Sequence, residues 1–422
     1  MQKLKQFIAL NPVGILSIGL GLVLGWILLT KQLERFEPKP SENLIKLVPI
    51  PFTNLPGWNN DTISDILPAI KNSCRLYIKM DQERILSSSI WLVKAKDWQP
   101  ICQNIEAVDA SFAATAAFLE YWFQVFEMQT NTQIPGLFTG YYEPKIAGAR
   151  SADDQYKFPL YSLPKDLITI DLGKFRSEWQ GQQIIGRFVN QRFEPYHTRE
   201  SITKGALRNQ GYEIVWLRDN IDGFFLEIQG SGVISLPDGQ ELRVGYAGKN
   251  GHPYRAIGAK LIEEGVLKRE EVSLQSIRAW LQANPDQQQR VMNFNPSYVF
   301  FKLQQGVTGA VGAQNTVLTA GRSMAVDPAY IPLGTLLWLD TTWPSPMRQE
   351  TQDKNRLKLQ RLMIAQDTGG AIKGPIRGDI FFGTGDEAGE IAGYMKQSGK
   401  YYIILPKTVM PVNQILNTKN NK

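Results

Sequence analysis

Two stretches decide how this chain is read: Leu362-Met363-Ile364-Ala365-Gln366-Asp367-Thr368-Gly369-Gly370 and, after a short link, Arg377-Gly378-Asp379-Ile380-Phe381-Phe382. Each is a brief apolar run punctuated by aspartate and glycine, the pattern of strands rather than helices. The same texture begins at Gly136 and recurs at Phe224 to Ile228, Leu242 to Tyr246, Thr335 to Asp340 and Tyr401 to Leu405. Pro237-Asp238-Gly239, set between Val233-Ile234 and Leu242-Val244, predicts a hairpin. Helices are expected over His252 to Glu264, Leu274 to Ala283 and Asp386 to Ser398, each ended by Gly or Pro. The polar stretch Thr341 to Arg356 reads as a surface loop between strands. Before Gly136 the chain is mostly helical, with Phe112, Ala116, Leu119, Trp122, Phe123 and Phe126 predicting one core helix over Val108 to Gln129. Many short strands and few helices favour a β-barrel or sandwich over a doubly wound parallel sheet.

The chain has 422 residues, 43% apolar and 20% charged, enough for two or three domains. With two histidines (His197, His252) and two cysteines (Cys74, Cys102), multi-histidine metal sites and disulfide-dense scaffolds are excluded by count. The chemistry must use carboxylates. Gln6 to Thr30 is uncharged, follows Lys3 and Lys5, and is long enough to span a bilayer. No small-x-small site follows it, so it reads as an uncleaved anchor with the rest of the chain outside. In that oxidising setting Cys74 and Cys102 either form one bridge or remain two buried thiols. The net charge of +6 is local: residues 1 to 35 carry +3, the tail from Lys407 another +3, and the body between them none. That distribution speaks against a nucleic-acid surface.

Familiar motifs fail on context. Gly383-Thr384-Gly385-Asp386-Glu387-Ala388 matches a dinucleotide fingerprint, but no second strand with an acidic end follows. Gly248-Lys249 lacks the first glycine and the hydroxyl residue of a phosphate loop. No G-x-S-x-G elbow surrounds Ser231. Three aspartates remain: Asp327 in Ala325-Val326-Asp327-Pro328, Asp367, and Asp379. Glycines beside a carboxylate at a strand end leave room for a ligand, although any one such aspartate is commonly a turn residue.

Here the chain resembles the membrane-bound lytic murein transglycosylase A family, with its C-terminal three-aspartate (3D) domain. The resemblance runs through Leu55-Pro56-Gly57-Trp58, Gly136-Leu137-Phe138-Thr139-Gly140-Tyr141-Tyr142-Glu143-Pro144, Phe224 to Gly232, Gly245 to Tyr254, Asn295 to Phe301 and the three-aspartate segment. It implies a mainly β fold with a helical N-terminal part: a double-psi β-barrel domain, a smaller inserted β-barrel domain, and a groove between them. The implied division is 1–35 anchor, 36–56 linker, 57–144 with 297–406 barrel (3D segment about 315–405), 145–296 insert, and 407–422 basic tail. The implied activity is cleavage of the β-1,4 MurNAc-GlcNAc bond of peptidoglycan with formation of a 1,6-anhydro product. The resemblance makes Asp379 the catalytic acid and base. Asp367 is the natural supporting carboxylate, since a second carboxyl or an apolar pocket must keep Asp379 protonated.

Thr139, Tyr141 and Tyr142 are expected to line the groove, with Asp327 as a further substrate contact; hairpin packing is the competing role for the tyrosines. Glu143 is the rival carboxylate. No metal or organic cofactor is indicated, and the expected partners are glycan strands, the membrane and cell-wall synthesis proteins. Two other functions compete: a wall-binding module without catalysis, and a hydrolytic muramidase using a carboxylate pair. Familiar family members carry a lipidated cysteine where this chain has an apolar span.

Overall fold

The computed structural model describes residues 45–87, 91–130, 136–344 and 358–409. They fall in one compact body, residues 47–128 with the chain from 134, while the remaining unit, Met1–Lys46 with Gln129–Gln133, is described only at 45–46 and 129–130. The apolar stretch Gln6 to Thr30, most of the loop expected at 341–356 and the tail beyond 409 lie outside the described residues. Among the described residues no helix is long and apolar enough to cross a membrane.

The main sheet orders its strands Ile45–Ile50, Phe123–Thr130, Lys396–Pro406, Leu336–Thr342, Lys358–Asp367, Ser323–Val326, Arg377–Thr384 and Gly136–Glu143. Lys396–Pro406 is long enough to be used twice. Its residues 400–404 pair with Leu336–Asp340, and its residues 396–399 pair with Gly136–Thr139 at the other edge. Pairing therefore passes around six strands and returns, consistent with a double-psi β-barrel. Leu336 to Leu339, Leu362 to Ala365 and Tyr401 to Leu405 are buried without interruption. Strands covered on both faces lose the polar alternation of a half-exposed sheet, which is why these segments read as plain apolar runs.

A second sheet has the order Val299–Gln304, Glu241–Lys249, Ser231–Ser235, Lys145–Ala149, Glu213–Leu217 and Phe158–Tyr161. A bridge between Ser162 and Phe301 links its two edges. The hairpin predicted at Pro237-Asp238-Gly239 is present, with Ile234 opposite Leu242. The boundary expected at 296 falls ahead of Val299–Gln304, whose pairing with Glu241–Lys249 ties it to this sheet.

Four expected elements differ. The helix read over Val108 to Gln129 is a helix only at Phe112–Trp122, capped by Ser111, and continues as the strand Phe123–Thr130. The β-branched and aromatic residues Phe123, Val125 and Phe126 suit either state, and pairing with Lys396–Pro406 settles it. Phe224 to Ile228 lies in a helix, Asn220–Gln229, because Asp219 accepts a hydrogen bond from the Ile221 amide and caps it. Phe224 and Phe225 then pack on Ile257, Leu261 and Leu281. The helix expected at His252 starts at Ile257, and the last helix ends at Tyr394, where Lys396–Pro406 takes over.

The N-terminal segment is fastened by buried polar groups. Arg322 and Asp61 are each about 5% exposed and form a two-point ion pair, with Arg322 also donating to the Thr62 and Leu362 carbonyls. Gln366 donates to the Ala69 carbonyl and to Ser73 on the helix Leu67–Tyr77 and accepts from Ser323. That helix is joined to Ala95–Asn104 by a disulfide between Cys74 and Cys102, whose Cα atoms lie 5.1 Å apart. Closing a loop of 28 residues removes disorder from the unfolded chain worth about 3–4 kcal/mol. The double variant Cys74→Ala/Cys102→Ala should lose about that much stability, read as a lower urea midpoint. An unchanged midpoint would show that the bridge contributes nothing.

Candidate active site

Strand register brings together residues far apart in the chain. Ala325 sits opposite Asp367 on one side and Asp379 on the other, and Asp379 is paired in parallel with Thr139. Residues directly opposite one another share a face, so Asp367, Ala325, Asp379 and Thr139 form one row across four strands. With neighbouring strands about 4.8 Å apart, the two aspartate backbones are separated by about 10 Å. Tyr141 and Phe381, two residues on along their strands, stand on the same face with ring centroids 5.3 Å apart. They pack with Ala310, Leu318, Ala325 and Ile372 into an apolar cluster.

Asp379 lies against this cluster. Burial pushes its carboxyl up to about 6, while the Thr139 hydrogen bond and the nearby Arg377 guanidinium pull the other way and Asp367 adds a smaller upward push. The Thr139 hydroxyl donates to Asp379 Oδ1 and accepts from Arg377 Nη2 at 2.8 Å. A hydroxyl has one proton, so Arg377 fixes its direction toward Asp379. Asp367 accepts from the Tyr141 hydroxyl, the Ala313 amide and the Thr368 amide, each at 2.8 Å. Those donors hold its pKa down against the larger upward effect of burial. Tyr141 is itself pushed well above the usual phenol range by burial and by Asp367, and it remains a donor.

The other expected site residues lie elsewhere. Tyr142, adjacent to Tyr141 on a strand, points to the opposite face as the two-residue period requires, and packs on Ala388 and Ala392 of the helix Asp386–Tyr394. Its place is in packing, not in this row. Asp327 accepts from the Ala329 and Gly374 amides and lies 3.7 Å from Lys373, so it braces two loops. Glu143 is fully buried in an ion pair with Arg243 and accepts from Thr384 at 2.8 Å, which commits the rival carboxylate to a structural link between the two sheets. His252 holds the Tyr196 carbonyl at 2.7 Å. Gly383 and Gly385, in the look-alike fingerprint, have φ of 116° and 90° and turn the strand into the final helix, where the Gly385 amide donates to the Glu143 carbonyl.

Arg377 escaped the sequence reading. Its spacing of two from Asp379 on a predicted strand was the available signal, since it puts both on one face. The Ala313 amide carried no signal at all, because it comes from an irregular loop.

The comparisons with known proteins agree with this architecture. The family model described as "MltA specific insert domain" matches residues 137–302, and the "3D domain" model matches residues 322–405. Membrane-bound lytic murein transglycosylase A of Escherichia coli K12 is 34% identical over 269 residues, 63% of this chain. That match spans 65% of the curated relative's length, just under two thirds. The crystal structure of a membrane-bound lytic murein transglycosylase from Agrobacterium tumefaciens superposes with a TM-score of 0.73 at 30% identity, over 86% of this chain and 98% of that one. E. coli MltA with bound chitohexaose superposes with a TM-score of 0.60 at 26% identity, over 86% and 92% of the two chains. With nearly the whole of a solved relative covered at that identity, and both domain models matched in order, the chain belongs to the membrane-bound lytic murein transglycosylase A family.

Proposed function

We propose that this protein is a lytic transglycosylase of the cell envelope that cleaves the β-1,4 bond between MurNAc and GlcNAc in peptidoglycan. The observation that carries the mechanism is a single aspartic acid, Asp379, with its pKa raised to about 6 and its carboxyl hydrogen-bonded to Thr139. Protonated Asp379 gives its proton to the glycosidic oxygen as the bond from C1 breaks. The substrate's C6 hydroxyl oxygen then bonds C1, and its proton passes to the Asp379 carboxylate, which restores the acid. No water is consumed, and the product is a 1,6-anhydro sugar.

The two directions of influence on Asp379 match its two duties. Burial favours the acid needed first, and the Arg377-Thr139-Asp379 chain of hydrogen bonds supports the carboxylate needed second. Asp367 is the supporting carboxylate: its hydrogen-bond donors favour its charge, which discourages ionisation of Asp379 and faces the positive charge that develops at C1. Thr139 and Tyr141 face the bound sugar. Glycan binding by the chitohexaose-bound relative supports a glycan strand as ligand, and the membrane-bound relatives support the envelope location. In this reading Gln6 to Thr30 anchors the chain, 57–144 with 297–406 forms the barrel domain and 145–296 the insert, with Val299–Gln304 completing the insert's sheet.

Asp379→Asn should reduce turnover of purified sacculi about a thousandfold or more while chitohexaose binding persists. Full release of fragments by that variant would sink the single-acid mechanism. Mass analysis of the wild-type products decides the class: anhydro ends, lighter by one water, support the transglycosylase, whereas reducing ends identify a hydrolase and no release a binding module.

The same carboxyl sets pH dependence. A group raised from 3.8 to about 6 disfavours folding once ionised, so stability falls as pH rises through that window and stays lower above it. At pH 7 Asp379→Asn should therefore be more stable than wild type by about 1–3 kcal/mol, read by thermal melting. A less stable variant would contradict the desolvated carboxyl. For activity, kcat/KM should decline above about pH 6 as the acid is lost. Thr139→Val removes a donor to the carboxylate, so its pKa rises further and the alkaline limb should move up by about one pH unit. A limb that stays put or moves down would exclude the proposed hydrogen bond.

A further inference from the structure

We propose that a cavity on the inserted sheet binds a carboxylate of the stem peptide carried by the glycan strand, an inference that rests on the wall-glycan reading above. The cavity holds about 530 Å³, and its lining includes Arg150, Glu241, Arg243, Leu303, Gln304 and Val307. Gln304 is paired with Arg243, and Arg243 with Val233, so these three share one face of the sheet at the cavity.

The charges in it do not balance. Arg243 is neutralised by the buried Glu143, and Glu241 by Lys145. Arg150 is exposed and donates to the neutral Gln240 carboxamide at 3.0 Å, which leaves one positive charge at the rim. The side-chain oxygen of Gln304 is buried without a hydrogen-bond partner, its carboxamide lying over Gly245, and turned into the cavity it would accept an N–H. An anion beside an amide N–H answers both. A peptide carboxylate next to a peptide bond is that combination, and Leu303, Val307 and Val233 offer apolar surface to small side chains such as alanine. A sugar hydroxyl would answer Gln304 but not Arg150.

The cavity is also joined to the catalytic row. Arg243 reaches Glu143, which stands four residues beyond Thr139 on the same strand, a distance of about 13 Å. On the other side the chain runs from Val307 to Ala310, which packs against Tyr141 and Phe381. From Ala310 to Val307 the chain covers at most about 10 Å, a span that a stem peptide hanging from a muramic acid at the catalytic row crosses in about three residues.

The test is the preference for substituted over bare glycan. With the full chain, kcat/KM is measured on glycan strands bearing stem peptides and on the same strands after amidase removal of the peptides, for wild type and Arg150→Gln. The ratio of the two values should fall about five- to tenfold in Arg150→Gln. An unchanged ratio overturns the site. Calorimetric titration of the full chain with the tripeptide L-Ala-γ-D-Glu-L-Lys gives a reading independent of turnover: wild type should bind at least about fivefold more tightly than Arg150→Gln. Equal affinity, or binding by neither, also overturns it. If no anhydro product forms from either strand type, the transglycosylase reading fails instead, and the titration still decides the carboxylate site.

Discussion

The parallel pairing of Arg377–Thr384 with Gly136–Glu143 is the constraint on which the rest depends. A slip by one residue would turn Thr139 and Tyr141 away from Asp379 and Asp367 and present Phe138 and Gly140 in their place. Several contacts hold the register. Lys396–Gly399 pairs with the same strand from its other edge, and Gly136 lies so close to the Gly399 carbonyl that a Cβ there would sit 2.3 Å from the oxygen. At the far end Glu143 is fastened by Thr384, by Arg243 and by the Gly385 amide. The strand is thus held at both ends, and the residues that matter lie between.

Burial then performs two tasks with one set of side chains. The cluster of Tyr141, Phe381, Ala325 and Ile372 completes the core where the strands meet, and it also removes water from one flank of Asp379. The Arg377-Thr139 pair keeps that desolvation from going too far. In the proposed mechanism a more apolar neighbourhood would hold the proton too tightly for Asp379 to act as the base, and a more polar one would leave no acid to donate. The site is therefore inseparable from the barrel interior, and substitutions in it act on packing and on protonation together.

Much of this was legible in the residues. The strands Leu336–Thr342, Lys358–Asp367 and Arg377–Thr384, the hairpin at Asp238-Gly239 and the two central aspartates follow from local punctuation and from family resemblance. Local pattern misled where tertiary pairing decides between states: Phe123–Thr130 continues a helical period but is claimed by a neighbouring strand, and Phe224 to Ile228 looks extended but is capped by Asp219. Tyr142 differs in another way. Its neighbour lines the site, yet alternation on the strand sends it to the far side. Asp327 has the composition of a site aspartate and the contacts of a loop brace, a distinction that only the Gly374 amide makes visible.

Thr139 and Asp379 lie 240 residues apart in the chain, and the strand that closes the circuit is the last described one, Lys396–Pro406. During synthesis the hydroxyl is made 240 residues before its carboxylate. A product cut short before residue 379 lacks the proposed acid, and one cut before residue 396 lacks the strand that seats Gly136–Thr139. For a protein proposed to cut peptidoglycan, the proposed cutting group therefore comes together only after residue 396 has been made.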